Sequence, residues 1–249
     1  MNRWLNGTVF KITKWTKFLF SIIIRAPIKP FSAGQFNQLA MINTNGKTIQ
    51  RAYSYVNSPN NCNLEFYITL IPQGTFTNYL YKLKPGDNIL INKNSFGFFT
   101  IDNIHNCDIL WMFASGTGIG PFLSILQEGT WVCKFKKIIL IHSVKYVNDL
   151  TYISLINHFK KLYKNRFIFE AITSQEYTHR FLHGRITDFI HNNQLEIKIG
   201  YEIQPKTSHV MICGNPNMVK HMKLLLQTTK KLRKNLKKTP GQITTENYW

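Results

Sequence analysis

Acidic residues are scarce in this chain. Asp and Glu number 12 against 31 Lys and Arg in 249 residues, a formal net charge of +19. Such an imbalance leaves three partner classes open: nucleic acid, an anionic membrane surface, or an acidic protein. Lysine far outnumbers arginine and asparagine is abundant. That is the bias an AT-rich genome produces, so part of the charge carries no functional message. Cysteine is scarce as well. Cys62, Cys107, Cys133 and Cys213 show no C-x-x-C spacing. This argues against a zinc site, an iron–sulfur cluster or a disulfide framework, so no metal is expected. Long apolar runs are missing. Phe18–Ile24 is far too short to span a bilayer, and Met1–Phe10 has no apolar run followed by a cleavage site. The expectation is a soluble, reduced, cytoplasmic chain without membrane insertion.

What the chain does have is core-forming material: 44% hydrophobic and 14% aromatic residues. Residues 4–92 read as short strands rich in β-branched and aromatic residues. The expected strands are Leu5–Ile12, Phe18–Arg25, Gln35–Ile42, Ile49–Val56, Leu64–Leu70 and Asn88–Ile91. Turn chemistry separates them at Ala26-Pro27, Asn45-Gly46, Ser58-Pro59-Asn60-Asn61 and Pro85-Gly86-Asp87, with Asn45-Gly46 expected as a two-residue hairpin turn. One helix, Thr77–Leu83, interrupts them. Six strands in so little chain suggest an antiparallel barrel. After residue 101 the period changes. Apolar runs at Ile109–Ala114, Ile138–Val144, Phe167–Thr173 and Val210–Cys213 alternate with helical segments at Pro121–Gln127, Leu150–Tyr163, Ile186–Asn192 and Pro216–Leu232. That order means an α/β doubly wound parallel sheet. The boundary between the two expected domains, 1–101 and 102–249, falls in the polar stretch at Asp102–Asn106.

Four stretches carry candidate chemistry. The first is Arg51-Ala52-Tyr53-Ser54-Tyr55-Val56-Asn57-Ser58-Pro59. In an extended strand Arg51, Tyr53 and Tyr55 share a face, roughly 7 Å apart along it, so a phosphate on Arg51 and a flat ring on Tyr53 are compatible. A regular strand points Ser54 away from that face, so a twist or strand end is expected there. The second is Gly74-Thr75-Phe76-Thr77, ahead of the small helix, an anion site with the Thr77 hydroxyl as cap. The third is Gly116-Thr117-Gly118-Ile119-Gly120-Pro121, between a buried strand and a helix. There Gly116 and Gly118 let backbone amides approach a pyrophosphate, and Pro121 suits the first helical turn. The fourth is Cys213-Gly214-Asn215-Pro216, at the end of the last parallel run, where open α/β sheets bind ligands. The chain then closes on Glu246-Asn247-Tyr248-Trp249, two aromatics that would fray unless something covers them.

R-x-Y-S, the turn before the small helix, G-T-G-x-G-P, C-G-N-P and Glu-x-Tyr-Trp together resemble the ferredoxin–NADP reductase family, in family order and over almost the whole chain. The resemblance is strongest to the bacterial flavodoxin/ferredoxin–NADP reductases. It implies an FAD-binding antiparallel Greek-key barrel followed by an NADP-binding α/β domain. It further implies an oxidoreductase passing electrons between NADPH and a one-electron carrier, and flavin is the cofactor able to split a two-electron donation.

Carried over by resemblance, Arg51, Ala52, Tyr53, Ser54, Gly74, Thr75, Phe76, Thr77 and Thr117 bind FAD. Tyr248 stacks on the flavin opposite Tyr53, and Trp249 lies on the adenine. Ser54, Cys213 and Glu246 flank the reacting atoms. Gly116, Thr117, Gly118, Ser143, Lys145, Ser174, Arg185, Gly214, Asn215 and Met218 serve NADP. The implied partner is an acidic flavodoxin or ferredoxin, and the implied state is a monomer. Two positions depart from the family, which reads the 2′-phosphate with arginines after the second and third parallel strands. Lys145 stands at the first and uncharged Gln175 at the second, while Arg185 is retained. Rival readings are a free-flavin reductase or electron-transfer subunit of the same architecture, and a basic nucleic-acid-binding module. The last leaves the glycine loop and terminal aromatics unexplained.

Overall fold

The computed structural model describes residues 3–248. The chain folds into two compact units, residues 1–101 with 120–128, and residues 102–119 with 129–249.

The first unit begins with β1 (Trp4–Lys14), β2 (Leu19–Arg25), β3 (Phe36–Ile42), β4 (Thr48–Ser54) and β5 (Leu64–Thr69). Helix α1 (Thr75–Lys82) and strand β6 (Asn88–Asn92) follow. All pairings are antiparallel, in the order β4-β3-β6-β1-β2-β5. The two outer strands then meet. Just after β4, Tyr55 bridges Phe66 of β5, and the Val56 N–H donates to the Glu65 carbonyl at 2.9 Å. This closes the sheet on itself and removes its open edges. Val9, Phe20, Ile22, Ile24, Leu39, Phe66 and Ile91 fill the interior.

One turn differs from expectation. Asn45-Gly46 is not a two-residue hairpin, because β3 and β4 pair as far as Ile42 and Thr48 and leave five residues between. The Asn43 Oδ1 accepts from the N–H groups of Asn45 and Lys47, so a side chain closes the longer loop. Pro85-Gly86-Asp87 is a tight turn as expected, with the Asp87 carboxylate accepting from the Lys84 N–H at 2.7 Å.

The second unit carries β7 (Ile109–Ser115), after which the chain passes through α2 (Gly120–Glu128), which belongs to the first unit. It resumes with β8 (Lys137–Val144), α3 (Ile153–Tyr163), β9 (Phe167–Thr173), the two-residue β10 (Leu182–His183), α4 (Ile186–His191), α5 (Gln194–Ile199), β11 (Ser208–Gly214), α6 (Pro216–Thr229) and β12 (Ile243–Asn247). The strands are all parallel, in the order β10-β9-β8-β7-β11-β12. One face of the sheet packs Trp111, Phe113, Ile139, Ile141, Ile172 and Ile212 against α4 and α6. The other face takes α3, with Phe159 edge-on to Phe167 at 6.2 Å. Burial on both faces explains the unbroken apolar runs. Three elements were not visible in the sequence: β10, α5 and β12. Among the described residues no helix is long and apolar enough to cross a membrane, and no group of His, Cys, Asp and Glu could hold a metal ion.

A fully buried asparagine ties the barrel together. Asn37 Nδ2 donates to the Tyr55 hydroxyl at 2.7 Å and the Asn92 carbonyl at 3.1 Å, while its Oδ1 accepts from the Gln38 and Asn92 N–H groups. An Asn37→Ala change strands several buried polar atoms at once. The expected loss of stability is about 2–4 kcal/mol, since each unsatisfied buried group costs roughly 1–3 kcal/mol and neighbouring losses do not simply add. Urea denaturation followed by fluorescence measures it.

Candidate functional site

In the first unit, strand β4 ends at Ser54. The strand end expected at that residue is therefore present. Arg51 is exposed, Tyr53 half-buried and Ser54 buried. Tyr55 does not join Arg51 in solvent. It is fully buried, stacks on Phe31 at 3.8 Å between centroids, and shares its hydroxyl with Asn37 and with Ser95 at 2.8 Å. Burial pushes the Tyr55 hydroxyl up to about 12, against those two hydrogen bonds, so it stays protonated. Tyr55 is thus a core residue, and the side chains left to a ligand are those of Arg51 and Tyr53.

The ring of Tyr53 lies nearly parallel to Phe76 of α1, 16° between planes and 6.2 Å between centroids. This brings R-A-Y-S and the 74–77 turn together. Burial raises the Tyr53 hydroxyl pKa, and the adjacent Arg51 charge opposes that rise. Helix α1 starts at Thr75 after Gly74, and no side chain caps it. Thr77 is not the cap expected from the sequence. It sits one turn into the helix, where its Oγ1 accepts from the Ile71 N–H at 3.1 Å and closes the preceding turn. A helix N-terminus without a side-chain cap suits an anion, an exposed arginine suits a phosphate, and Tyr53 backed by Phe76 suits a planar ring.

In the second unit, the glycine loop forms a tight 3-10 turn, Gly116–Ile119, after β7. Gly116 has φ +53, which glycine adopts without strain. Gly118 has a different reason to be glycine. A Cβ there would lie 2.6 Å from both the Cys213 carbonyl oxygen and the Gly214 Cα. Gly214, at φ +134, would place its own Cβ 2.2 Å from the Ser115 Oγ. The ends of β7 and β11 therefore approach backbone to backbone. The Ser115 Oγ accepts from the Asn215 N–H at 2.9 Å across that contact. Asn215 caps α6, its Oδ1 accepting from the Asn217 and Met218 N–H groups, and Met218 packs half-buried on the core.

His142 was missed by sequence reasoning. It sits on β8, buried, with Nε2 at 2.9 Å from the Gly116 carbonyl and no partner at Nδ1. Burial lowers its pKa to about 4 against the Gly116 hydrogen bond, so the ring is neutral with its proton on Nε2. A lone histidine in an apolar run gives no hint of this role. Ser143 lies half-buried beside it, in register with Ser115.

Cys213 pairs in register with Ala114 on one side and Glu246 on the other. Its side chain is fully buried. Burial pushes the thiol well up, Glu246 adds to the rise, and the Tyr248 side chain opposes it through a hydrogen bond. The thiol is therefore protonated and acts as a small hydrogen-bonding group rather than a nucleophile. The segment up to Tyr248 is held in place, because β12 is hydrogen-bonded along β11 and the Tyr248 N–H donates to the Gly214 carbonyl at 3.0 Å. Cys213, Glu246 and Tyr248 are brought together. Trp249 lies outside the described residues. Lys145, Ser174 and Arg185 are exposed after β8, after β9 and before α4, and Thr117 is buried in the glycine loop.

A model of the oxidoreductase FAD-binding domain matches residues 16–99, and one of the oxidoreductase NAD-binding domain matches residues 112–223. Flavodoxin/ferredoxin–NADP reductases of Buchnera aphidicola subsp. Schizaphis graminum and of Escherichia coli K12 are 52% and 43% identical, over the full length of both chains in each case. The chain belongs to the flavodoxin/ferredoxin–NADP reductase family. A solved ferredoxin NADP+ reductase from Neisseria gonorrhoeae with bound FAD and NADP superposes with a TM-score of 0.93 at 30% identity, covering all of both chains. Within this reductase family framework the barrel unit is the FAD-binding type and the parallel-sheet unit the NAD-binding type.

The close approach at Gly118 generates a test. Gly118→Ala forces the loop off Cys213 and Gly214. Overpacking of this kind costs about 1–3 kcal/mol, and the glycine loop moves with it. NADP+ affinity, read by titration calorimetry, is expected to fall at least about tenfold.

Proposed function

We propose that this protein is an FAD enzyme that moves electrons between NADPH and a one-electron carrier, flavodoxin or ferredoxin. One observation carries the reading: Tyr53 stacks along Phe76, which brings the R-A-Y-S strand against helix α1, whose start has no side-chain cap. FAD, when bound, supplies the chemistry that the protein lacks, taking electrons in a pair and releasing them singly. The protein's own residues do the rest. Arg51 and the Gly74–Thr77 backbone hold the pyrophosphate, Ala52 and Tyr53 line the ring system, and Ser54 supplies a hydroxyl at the strand end. Thr117 would contribute to the same cofactor, Tyr248 would be the aromatic that covers the flavin, and Trp249 would take the adenine.

The proposed NADP residues are Gly116, Thr117, Gly118, Ser143, Lys145, Ser174, Arg185, Gly214, Asn215 and Met218. Gly116, Gly118 and Gly214 keep the backbone close and open to phosphate, and Asn215 and Met218 anchor the start of α6. His142 fixes the Gly116 carbonyl. Cys213 and Glu246 flank the reacting atoms, the first with a neutral thiol. In domain terms, residues 1–101 bind FAD and residues 102–249 bind NADP, with the C-terminal aromatics serving the flavin. The basic surface suits an acidic carrier, which long-range attraction steers to a +19 chain. The enzyme acts as a monomer in the cytoplasm.

The protein is expected to purify yellow with one non-covalent FAD and to reduce flavodoxin or ferredoxin with NADPH. A colourless folded protein that takes up no added FAD would sink the proposal. Nucleotide choice is read by a second experiment. A charged contact to a phosphate contributes roughly 1.5–3 kcal/mol, about tenfold to a hundredfold. Arg185→Ala is therefore expected to lower kcat/KM for NADPH by about that factor and to leave NADH nearly untouched. Equal losses with both nucleotides would remove Arg185 from the 2′-phosphate site.

A further inference from the structure

We propose that Glu176 sets how strongly this protein distinguishes NADPH from NADH. Its carboxylate straps the turn carrying Lys145 to the turn carrying Gln175, and it places a negative charge beside the position of the 2′-phosphate. The inference rests on the NADP reading above and adds a residue that reading did not contain.

Two turns are stitched together at the end of the parallel sheet. The Ser174 N–H donates to the Val144 carbonyl at 2.9 Å, and the Gln175 N–H to the Lys145 carbonyl at 3.0 Å. The strongest tie is a side chain. Glu176 Oε2 accepts from the Val147 N–H at 2.7 Å. Val147 opens a short 3-10 turn, Val147–Asp149, so its N–H is a donor that an anion arriving at this turn would otherwise find. Glu176 already fills that role with a carboxylate. Its own backbone carbonyl accepts from His183 Nδ1 at 3.1 Å, which fixes the residue from a third side.

A second carboxylate lies in the same place. Asp149 Oδ2 accepts from the Tyr146 N–H at 3.2 Å. Burial raises the Asp149 pKa. The Tyr146 hydrogen bond and Lys145 pull it down, and Glu176 pushes it up. Asp149 thus feels both Lys145 and Glu176. Two carboxylates share this neighbourhood with one lysine, and the residue between the straps, Gln175, is uncharged. A carboxylate near the ends of such strands favours a ribose hydroxyl and repels a phosphate on it. In that reading Lys145 and Arg185 attract the 2′-phosphate, and Glu176 works against that attraction while holding the turn that carries Lys145.

The test uses the full-length FAD-loaded protein and titration calorimetry with 2′,5′-ADP and with 5′-AMP. The ratio of their affinities reports the 2′-phosphate alone and needs no turnover. Glu176→Gln keeps an oxygen for the Val147 N–H and removes the charge. The ratio is expected to rise about threefold or more, the order of effect that removing one nearby charge has in water. Glu176→Ala also removes the strap, so its ratio is expected to lie below that of Glu176→Gln. A Glu176→Gln ratio equal to or below the wild-type ratio overturns the inference while leaving the NADP reading standing. A Glu176→Ala ratio at or above that of Glu176→Gln overturns the strap. A wild-type protein that binds both ligands equally overturns the NADP reading and this inference with it.

Discussion

Much of the first unit depends on one buried hydroxyl. Tyr55 follows the R-A-Y-S strand directly, and its side chain runs into the barrel rather than out to solvent. A phenol in an apolar interior is costly unless its oxygen finds partners. Asn37 and Ser95 provide them. Once that knot is tied, Tyr55 bridges to Phe66, Val56 bonds to Glu65, and the barrel closes. The strand ends at Ser54, and Arg51 before it stays exposed. Closure of the fold and the end of the R-A-Y-S strand meet in the same interaction.

The second unit solves a different problem, how to leave strand ends open to a ligand without leaving them loose. It does so by removing side chains. Gly118 and Gly214 permit distances of approach at which no Cβ fits. The polar groups that remain are satisfied locally, by Ser115 for the Asn215 N–H and by His142 for the Gly116 carbonyl. A neutral, buried imidazole suits that task because it donates one hydrogen bond and carries no charge into the interior.

Much of this was legible in the residues themselves. Apolar runs of four to seven residues, bounded by turns, marked β7, β8, β9 and β11, because burial on both faces leaves little polar to alternate. R-A-Y-S, the glycine loop and C-G-N-P were readable because their spacing is tied to backbone geometry. Other features were not. β12 reads I-T-T-E-N, a polar string that lies along one edge of the sheet, where backbone pairing with β11 decides the conformation and side chains do not. Thr77 looked like a cap, yet the helix begins two residues earlier, and such boundaries shift readily by that much. Asn45-Gly46 has the composition of a tight turn, but Asn43 competes for the same N–H groups and widens the loop. His142 and Glu176 gave no signal, since their roles are set by which backbone groups fold up against them.

Helix α2 has a consequence for how the polypeptide acquires its structure. Residues 120–128 belong with the barrel although strands of the parallel sheet precede and follow them in sequence. Ser124 Oγ donates to the Asn57 carbonyl and Gln127 Nε2 to the Val56 carbonyl, each at 2.6 Å, and Phe122 packs edge-on to Phe99. The barrel is thus discontinuous in the gene. No single cut yields it free of β7 and the glycine loop. A ribosome that has released only the first hundred residues has made every strand of the barrel but not the helix that satisfies its last carbonyls. β7 and the glycine loop are synthesised before that helix, so the last segment of the barrel is made only after part of the second unit.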